Sequence, residues 1–169
     1  MIGMLVIGID PGTATTGYGL VREAADGSLA AVDFGVIETP AALDMPERLV
    51  MIYQQLTAIL NLHHPQAGSV EKLYFQTNVK TAITVGQGRG VALLALAQAG
   101  LTVSEFTPLE VKQAVVGYGK ADKRQVQEMV RALLDLPEIP RPDDAADALA
   151  VAICHIHSAG MRALQQKYS

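Results

Sequence analysis

Residues 5–21 read LVIGIDPGTATTGYGLV, and this segment carries the strongest structural signal in the chain. A β-branched apolar run ends at Asp10, a turn rich in Pro, Gly and Thr follows, and a second apolar run begins at Tyr18. Two such runs separated by turn residues predict a β-hairpin. Asp26-Gly27 marks another turn, and residues 29–37 form a third run. The chain is therefore predicted to open with three antiparallel strands.

The remaining sequence alternates helical patterns with two further strands. The predicted elements are a helix from Asp44 to His63, a strand at 69–75 carrying Glu71, a helix at 80–99, a strand at 101–106, and helices at 107–117, at 122–134 and from Asp143 or Asp144 onward. This order predicts an α/β fold with a five-stranded mixed sheet, antiparallel in its first three strands and parallel afterwards, with helices on both faces. Residues 91–97 give the second helix no polar face, so we expect it to pack in the core and against a second subunit.

Length and composition indicate one domain. The chain has 169 residues, half of them hydrophobic, which suits a single domain spanning residues 1–169. Its apolar runs fall short of the roughly 18 residues that a membrane span needs, and the N-terminus lacks a basic leader, so we expect a cytoplasmic protein without membrane contact. The single cysteine, Cys154, lies in an apolar run and is interpreted as a buried, unreactive thiol.

Charge is distributed unevenly along the chain. The formal net charge is −4, yet residues 72–131 contain eight Lys or Arg and four Asp or Glu. A basic central region beside acidic flanks is compatible with binding a phosphate backbone, although solvated helix faces would give the same pattern. The bases that we predict to contact DNA are Lys80, Arg89, Lys120 and Arg124.

Four acidic residues stand where carboxylates are costly. Asp10 ends one apolar run, Glu71 is placed at the start of another, and Asp144 and Asp147 lie three residues apart at the start of the last helix. Carboxylates near a core require protonation, basic partners or cations, and hard oxygen ligands suit Mg²⁺ or Mn²⁺. A pair of such cations can promote phosphodiester hydrolysis. Helical spacing also allows Asp143 to pair with Asp147, so spacing alone does not choose between Asp143 and Asp144.

Several segments together resemble one protein family. Residues 9–19, 86–92, 111–117 and 144–150, with Glu71 followed by an aromatic residue three positions later, are similar to the RuvC family of Holliday junction resolvases, which have a ribonuclease H-like fold. The resemblance covers roughly residues 4 to 157. It implies a homodimer that nicks two strands of like polarity in a four-way DNA junction, leaving 5′-phosphate and 3′-hydroxyl ends. It also implies a branch-migration helicase complex as a partner.

The resemblance also implies roles for individual residues. It matches Asp10, Glu71, Asp144 and Asp147 to catalytic acids that bind two Mg²⁺ or Mn²⁺ ions, and Lys112 and Lys123 to bases near the cut phosphate. It matches Tyr74 to an aromatic residue that stacks on unpaired bases, and we predict that the adjacent Phe75 also contacts DNA. Thr77 departs from the pattern, because many family members carry a base at that position. Stacking at an opened crossover is physically reasonable, since aromatic faces bind exposed bases.

Three other functions fit parts of the sequence. Asp10-x-Gly12-Thr13 also resembles the phosphate-binding hairpin of actin-like kinases and ATPases, but those proteins need two such domains. Ribonuclease H-like RNA-processing nucleases share the opening hairpin. A non-enzymatic binding module is the third alternative, and metal-dependent nicking of a four-way junction separates it from a nuclease.

Overall fold

The computed structural model describes residues 3–72 and 78–168, and in those residues it contains five strands and five helices. The strands are β1 (Leu5–Asp10), β2 (Thr15–Glu23), β3 (Leu29–Glu38), β4 (Ala67–Glu71) and β5 (Thr102–Phe106). The helices are α1 (Met45–His63), α2 (Val79–Gln98), α3 (Pro108–Val116), α4 (Lys123–Leu133) and α5 (Asp143–Lys167). The elements follow the order predicted from the sequence.

The five strands form one mixed sheet in the order β3-β2-β1-β4-β5. β1 pairs antiparallel with β2, and β2 with β3, whereas β1 with β4 and β4 with β5 are parallel. The predicted mixed sheet, antiparallel first and then parallel, is confirmed. Because β1 and β4 are parallel neighbours, their carboxyl ends lie side by side at one edge of the sheet.

The position of β4 differs from the prediction. The strand was expected at residues 69–75 with Glu71 near its start, but it begins at Ala67 and ends at Glu71. Pairing with β1 sets this register, since Val6 lies opposite Ala67 and Ile9 opposite Val70. The small residues 67–69 are poor strand formers by propensity, and tertiary pairing overrides that preference. Residues 73–75 of the predicted strand lie outside the described residues.

Local side-chain contacts explain where three helices begin. Asp44, Thr107 and Asp122 each form a capping box. The side chain of each cap residue accepts a hydrogen bond from the backbone N–H of the residue three positions later. The side chain of that later residue accepts a hydrogen bond from the backbone N–H of the cap residue. α3 ends at Gly117, whose φ of 101° suits glycine. The sequence predicts these start and stop signals, and the structure confirms them. α5 begins at Asp143 after Pro142, without a side-chain cap.

Helices cover both faces of the sheet. In β1, Leu5, Ile7 and Ile9 pack with α1 and α2, while Val6 packs with the cluster that includes α3, α4 and α5. Strand side chains alternate between faces, so Val6, Gly8 and Asp10 all point toward α5. The predicted two-sided helical packing is confirmed, and it places Asp10 on the same face as the last helix.

α5 lies directly on the sheet backbone because glycines leave room for it. A Cβ added at Gly8 would stand 2.0 Å from the carbonyl oxygen of Ala148, and one at Gly17 would stand 2.0 Å from that of Asp144. Gly8 pairs with Gly19 across β1 and β2, and a Cβ at Gly19 would meet the side chain of Leu149 at 2.7 Å. These three glycines form a channel in which the helix sits against the strands.

None of the helices in the described part of the chain is long and apolar enough to cross a membrane. Cys154 is buried in α5, and this burial raises the pKa of its thiol to about 11. The thiol is therefore protonated at neutral pH, as expected for an unreactive core cysteine.

Candidate active site

The sheet and α5 bring four acidic residues to one place. Asp10 is the last residue of β1 and Glu71 the last of β4, so the two parallel strands end side by side. Asp144 and Asp147 lie in the first turns of α5, which runs against the same face of the sheet. Residues from three distant parts of the sequence thus meet at the carboxyl end of the parallel strands.

Three of the four carboxylates form a close group. One oxygen from each of Asp10, Asp144 and Asp147 lies within 4.8 Å of the others, and all three residues are partly buried. Glu71 stands beside this group rather than within it. It lines a small cavity of about 70 Å³ together with Asp10, and a larger one of about 220 Å³ together with Asp147. The donor set consists of carboxylate oxygens, which suits a hard divalent cation.

Burial, together with the close packing of like charges, raises the pKa values of Asp10, Glu71 and Asp147. Burial is the main cause of the rise in the pKa of Asp10 to about 8, and repulsion from Asp147, a hydrogen bond with Asp144 and repulsion from Asp144 and Glu71 add to it. Burial also raises the pKa of Glu71, with repulsion from Asp147 adding and attraction from Lys112 opposing. The pKa of Asp147 is raised chiefly by burial, against the attraction of Lys123. Asp10 therefore holds a proton at neutral pH that a cation could replace.

The structure separates Asp143 from Asp144. Asp144 belongs to the close carboxylate group, whereas Asp143 is exposed and turned toward α4. There its carboxylate lies 3.1 Å from the Lys123 ammonium and accepts a hydrogen bond from Gln127 at 3.2 Å. The Lys123 hydrogen bond is the main reason that the pKa of Asp143 is lowered. Helical spacing left Asp143 and Asp144 as alternatives, and the geometry of the structure favours Asp144 as the member of the carboxylate group.

Two lysines face the acids from α3 and α4. The Lys123 ammonium lies 4.0 Å from a carboxylate oxygen of Asp147, in addition to its contact with Asp143. Lys112 lines the 220 Å³ cavity with Glu71 and Asp147. Val111, Val126 and Val151 form much of the remaining wall of that cavity. Both lysines are therefore placed to hold an anion next to the carboxylates.

The raised pKa of Asp10 predicts a pH-dependent stability without divalent cations. Between the ordinary pKa of 3.8 and the folded value of about 8, the folded protein binds a proton that the unfolded chain releases. Stability must therefore fall as pH rises through this window. From pH 6.5 to 8.5 we expect a loss of about 2 kcal/mol, or about 5 °C in melting temperature, in EDTA.

The matched variant for this measurement is Asp10→Asn. It cannot ionise, so in EDTA it should melt above the wild type at pH 8.5 and show a flatter pH profile, with a smaller difference at pH 6.5. The pKa of the buried His155 is lowered, and pH values from 6.5 upward keep its titration largely outside the window. Parallel profiles for wild type and Asp10→Asn would contradict the raised pKa.

The other predicted DNA-contacting residues have different surroundings. Lys80 and Lys120 are exposed, and Arg124 is exposed while pairing with Glu128 one turn away on α4. Arg89 is largely buried, and its guanidinium donates to the backbone oxygen of Glu71 and to the Glu105 carboxylate. Tyr74 and Phe75 lie outside the described residues.

Sequence reasoning missed two polar residues beside the acids. Gln127 holds Asp143, and Glu105 binds Arg89 at the end of β5. Gln127 lies one helical turn after Lys123, a spacing that places both on one side of α4 and could have indicated a shared contact. No local pattern marks Glu105, because its partner is on a different element.

Comparison with known proteins identifies the relatives of this arrangement. A family model described as crossover junction endodeoxyribonuclease RuvC matches residues 6–155. The RuvC protein of Syntrophomonas wolfei is 60% identical over 155 residues, covering 92% of this chain and 90% of that protein. The Thermus thermophilus RuvC structure matches with a TM-score of 0.87 and 37% identity, covering 94% and 96% of the two chains. The structure of T. thermophilus RuvC in complex with a Holliday junction substrate matches with a TM-score of 0.86 and 34% identity, again covering 94% and 96% of the two chains.

Proposed function

Because the chain belongs to the RuvC family of crossover junction endodeoxyribonucleases, we propose that it hydrolyses phosphodiester bonds in four-way DNA junctions. The observation that supports this proposal for the present chain is that Asp10, Asp144 and Asp147 lie together beside Lys123 at the end of the parallel strands. A relative of known structure is in complex with a Holliday junction substrate, which makes such a junction the substrate to test. A ribonuclease H-like fold of one domain per chain supports the site.

Divalent cations fit the acidic cluster. Asp10, Asp144 and Asp147 would hold them with Glu71 alongside. Burial and mutual repulsion raise the pKa values of Asp10 and Glu71, and a bound cation would offset both effects. We propose Mg²⁺ or Mn²⁺, two in each site. When bound, such ions supply activation of the attacking water and neutralisation of charge on the phosphate.

The chain's own residues orient the phosphate. Lys112 and Lys123 place two ammonium groups next to the carboxylates, where they can bind the oxygens of the scissile phosphate and offset negative charge on the departing oxygen. Asp10, whose pKa is raised to about 8, holds a proton at neutral pH that a bound cation would displace. The valine walls of the cavity beside Lys112 limit the water around these charges.

Exposed bases extend the proposed DNA surface away from the acids. Lys80 at the start of α2, Lys120 before α4 and Arg124 on α4 are available to the phosphate backbone. Such contacts contribute affinity without base specificity and weaken as salt rises. Tyr74, proposed to stack on unpaired bases, and Phe75, proposed to contact DNA, lie three and four residues after Glu71 in the sequence.

We propose that two copies of the chain associate through the outer side of α2. Val79, Ile83 and Leu94 are 71%, 59% and 52% exposed, and Gly86 and Gly90 on the same helix have open space where a side chain would be. Their spacing places them along one helical stripe, which a second helix can approach closely. A symmetric dimer gives two active sites for paired nicks in strands of like polarity, leaving 5′-phosphate and 3′-hydroxyl ends.

The dimer predicts a specific effect of charge on this stripe. Ile83→Glu should convert the protein to a monomer by sedimentation at micromolar concentration and replace paired cuts with single nicks, because a buried unpaired carboxylate opposes association. Leu62→Glu, at an exposed leucine on α1, is the control and should remain dimeric. A monomeric wild type that makes paired cuts would contradict the model.

The function itself is tested by nicking assays on defined substrates. A synthetic four-way junction, a duplex of the same sequence and an RNA–DNA hybrid are incubated with Mg²⁺ or Mn²⁺. We expect symmetric cuts in the junction alone, while cleavage of the hybrid alone would favour an RNA-processing nuclease. A branch-migration helicase complex is the proposed partner in the cytoplasm, and its addition should increase cutting of mobile junctions.

A further inference from the structure

Arg89 connects three elements at the edge of the active site. It projects from the middle of α2, donates one guanidinium hydrogen bond to the backbone oxygen of Glu71, and donates another to the carboxylate of Glu105. Glu71 is the last residue of β4 and Glu105 precedes the last residue of β5. One side chain therefore links a helix to the ends of two strands.

The surroundings of Arg89 are those of an internal contact. Its side chain is 13% exposed, whereas the Arg124 side chain, in a comparable pair with glutamate, is 74% exposed. Arg89 also lines the small cavity that contains Asp10 and Glu71. With two of its five N–H donors engaged and little of its surface exposed, this guanidinium is poorly placed to bind a phosphate.

The backbone at Glu71 is also held by the neighbouring strand, since Glu71 lies opposite Phe106 in the parallel pairing of β4 with β5. The Lys72 amide donates to the Phe106 carbonyl at 2.6 Å, which continues the β4–β5 pairing for one residue. Arg89 holds the carbonyl of Glu71 from the opposite side of the sheet to α5. The placement of the Glu71 carboxylate therefore depends on the position of a strand end that Arg89 secures.

Gly88, the residue before Arg89 in α2, packs against the turn that follows the end of β1. A Cβ added to Gly88 would lie 3.1 Å from the carbonyl carbon and oxygen of Gly12, in the turn that follows Asp10. One turn of α2 thus contacts the chain just beyond Asp10 through Gly88 and the end of β4 through Arg89. Together these contacts set the spacing between the two carboxylates that the sheet contributes.

We propose that Arg89, with Glu105 as its anionic partner, is a positioning residue that fixes Glu71 relative to Asp10. This inference rests on the proposed nuclease function. It assigns Arg89 a role in arranging the carboxylates, in place of the phosphate contact expected from its charge. Glu105 completes the site by holding the guanidinium toward the strand ends.

A positioning role and a phosphate-binding role for Arg89 predict different effects of substituting Glu105. If Arg89 positions Glu71, Glu105→Ala loosens the guanidinium and slows cleavage by about tenfold, with junction binding unchanged. If Arg89 binds phosphate, removing Glu105 frees a cation and tightens junction binding. Glu128→Ala is the matched control, since it also removes an acid paired with arginine, and its cleavage rate at saturating junction should equal that of the wild type.

Direct substitution of Arg89 gives a second comparison. Arg89→Ala should slow single-turnover cleavage about 100-fold while the junction dissociation constant in Ca²⁺ stays within about twofold and its salt dependence is unchanged. Arg89→Lys should recover part of the rate, because an ammonium can replace one of the two hydrogen bonds. If Arg89→Ala fails to fold, Glu105→Ala and Arg89→Lys distinguish the two roles of Arg89 by the same measurements of cleavage rate, junction dissociation constant and salt dependence.

The outcomes that overturn the proposal are distinct from failure of the nuclease. A normal cleavage rate at saturating junction with a salt slope lowered by about one, or tighter binding by Glu105→Ala, makes Arg89 a phosphate contact. Titration of the DNA-free protein with Mn²⁺ by calorimetry adds a measurement independent of cutting. We expect severalfold weaker Mn²⁺ binding in Arg89→Ala, and unchanged Mn²⁺ binding would overturn the positioning role. A wild type that cuts no junction refutes the proposed function instead.

Discussion

Asp147→Asn is expected to abolish junction cleavage while leaving junction binding intact or stronger. Asp147 lies within the close carboxylate group and 4.0 Å from the Lys123 ammonium, so it contributes to cation binding and to the orientation of that lysine. Asparagine keeps the shape but removes the charge, which weakens cation capture and reduces repulsion of the phosphate backbone. We expect a loss in cleavage rate of about 10³-fold or more. Binding is measured by gel shift in Ca²⁺, and cleavage in Mg²⁺ and Mn²⁺.

The neighbouring acids provide the controls. Asp144→Asn should resemble Asp147→Asn, because Asp144 belongs to the same group and hydrogen bonds with Asp10. Asp143→Asn should lower the rate by less than about tenfold, since Asp143 lies outside the close carboxylate group and pairs with Lys123. An inactive Asp143→Asn beside an active Asp144→Asn would move the ligand one residue upstream. If all three variants cut normally, the metal-nuclease proposal fails.

Much of the fold could be predicted because its signals are local. The hairpin around Asp10 depends on adjacent runs of β-branched residues and a Gly-rich turn, and the structure contains it as predicted. The helix starts at Asp44, Thr107 and Asp122 depend on contacts within four residues, which makes them visible in the sequence. The exception is β4, where pairing with β1 set the strand ends against local propensity.

The site was only partly predictable, since it depends on how α5 lies on the sheet. Helical spacing allowed either Asp143 or Asp144 to pair with Asp147, and the rotation of α5 about its axis decides between them. That rotation is set by Gly8, Gly17 and Gly19, which appear in the sequence as ordinary strand glycines and carry no indication of which helix they contact. Arg89 is similar, because its charge is evident from the sequence but the direction of its side chain is set by tertiary contacts.

The second large effect is expected at Gly17. A Cβ there would stand 2.0 Å from the carbonyl oxygen and 2.5 Å from the carbonyl carbon of Asp144. Both atoms belong to the backbone of α5, so no side-chain rotation can relieve the overlap, and the helix or the strand must shift. Overpacking of this kind costs about 1–3 kcal/mol. A displacement of about 1 Å at a catalytic group can also cost about 10²-fold in rate.

Gly17→Ala should therefore lower both the melting temperature and the cleavage rate, the latter by about 100-fold, while junction binding by distant bases persists. Gly160→Ala is the matched control. Gly160 lies in α5, the helix that Gly17 contacts, and a Cβ added there would have no atom within 4 Å beyond its chain neighbours and the nearby helix backbone. Alanine there should maintain the rate and raise stability by up to about 1 kcal/mol through helix propensity. Wild-type cleavage and stability in Gly17→Ala would mean that α5 does not rest on the strand at this position. The placement of Asp144 beside Asp10 would then need a different cause.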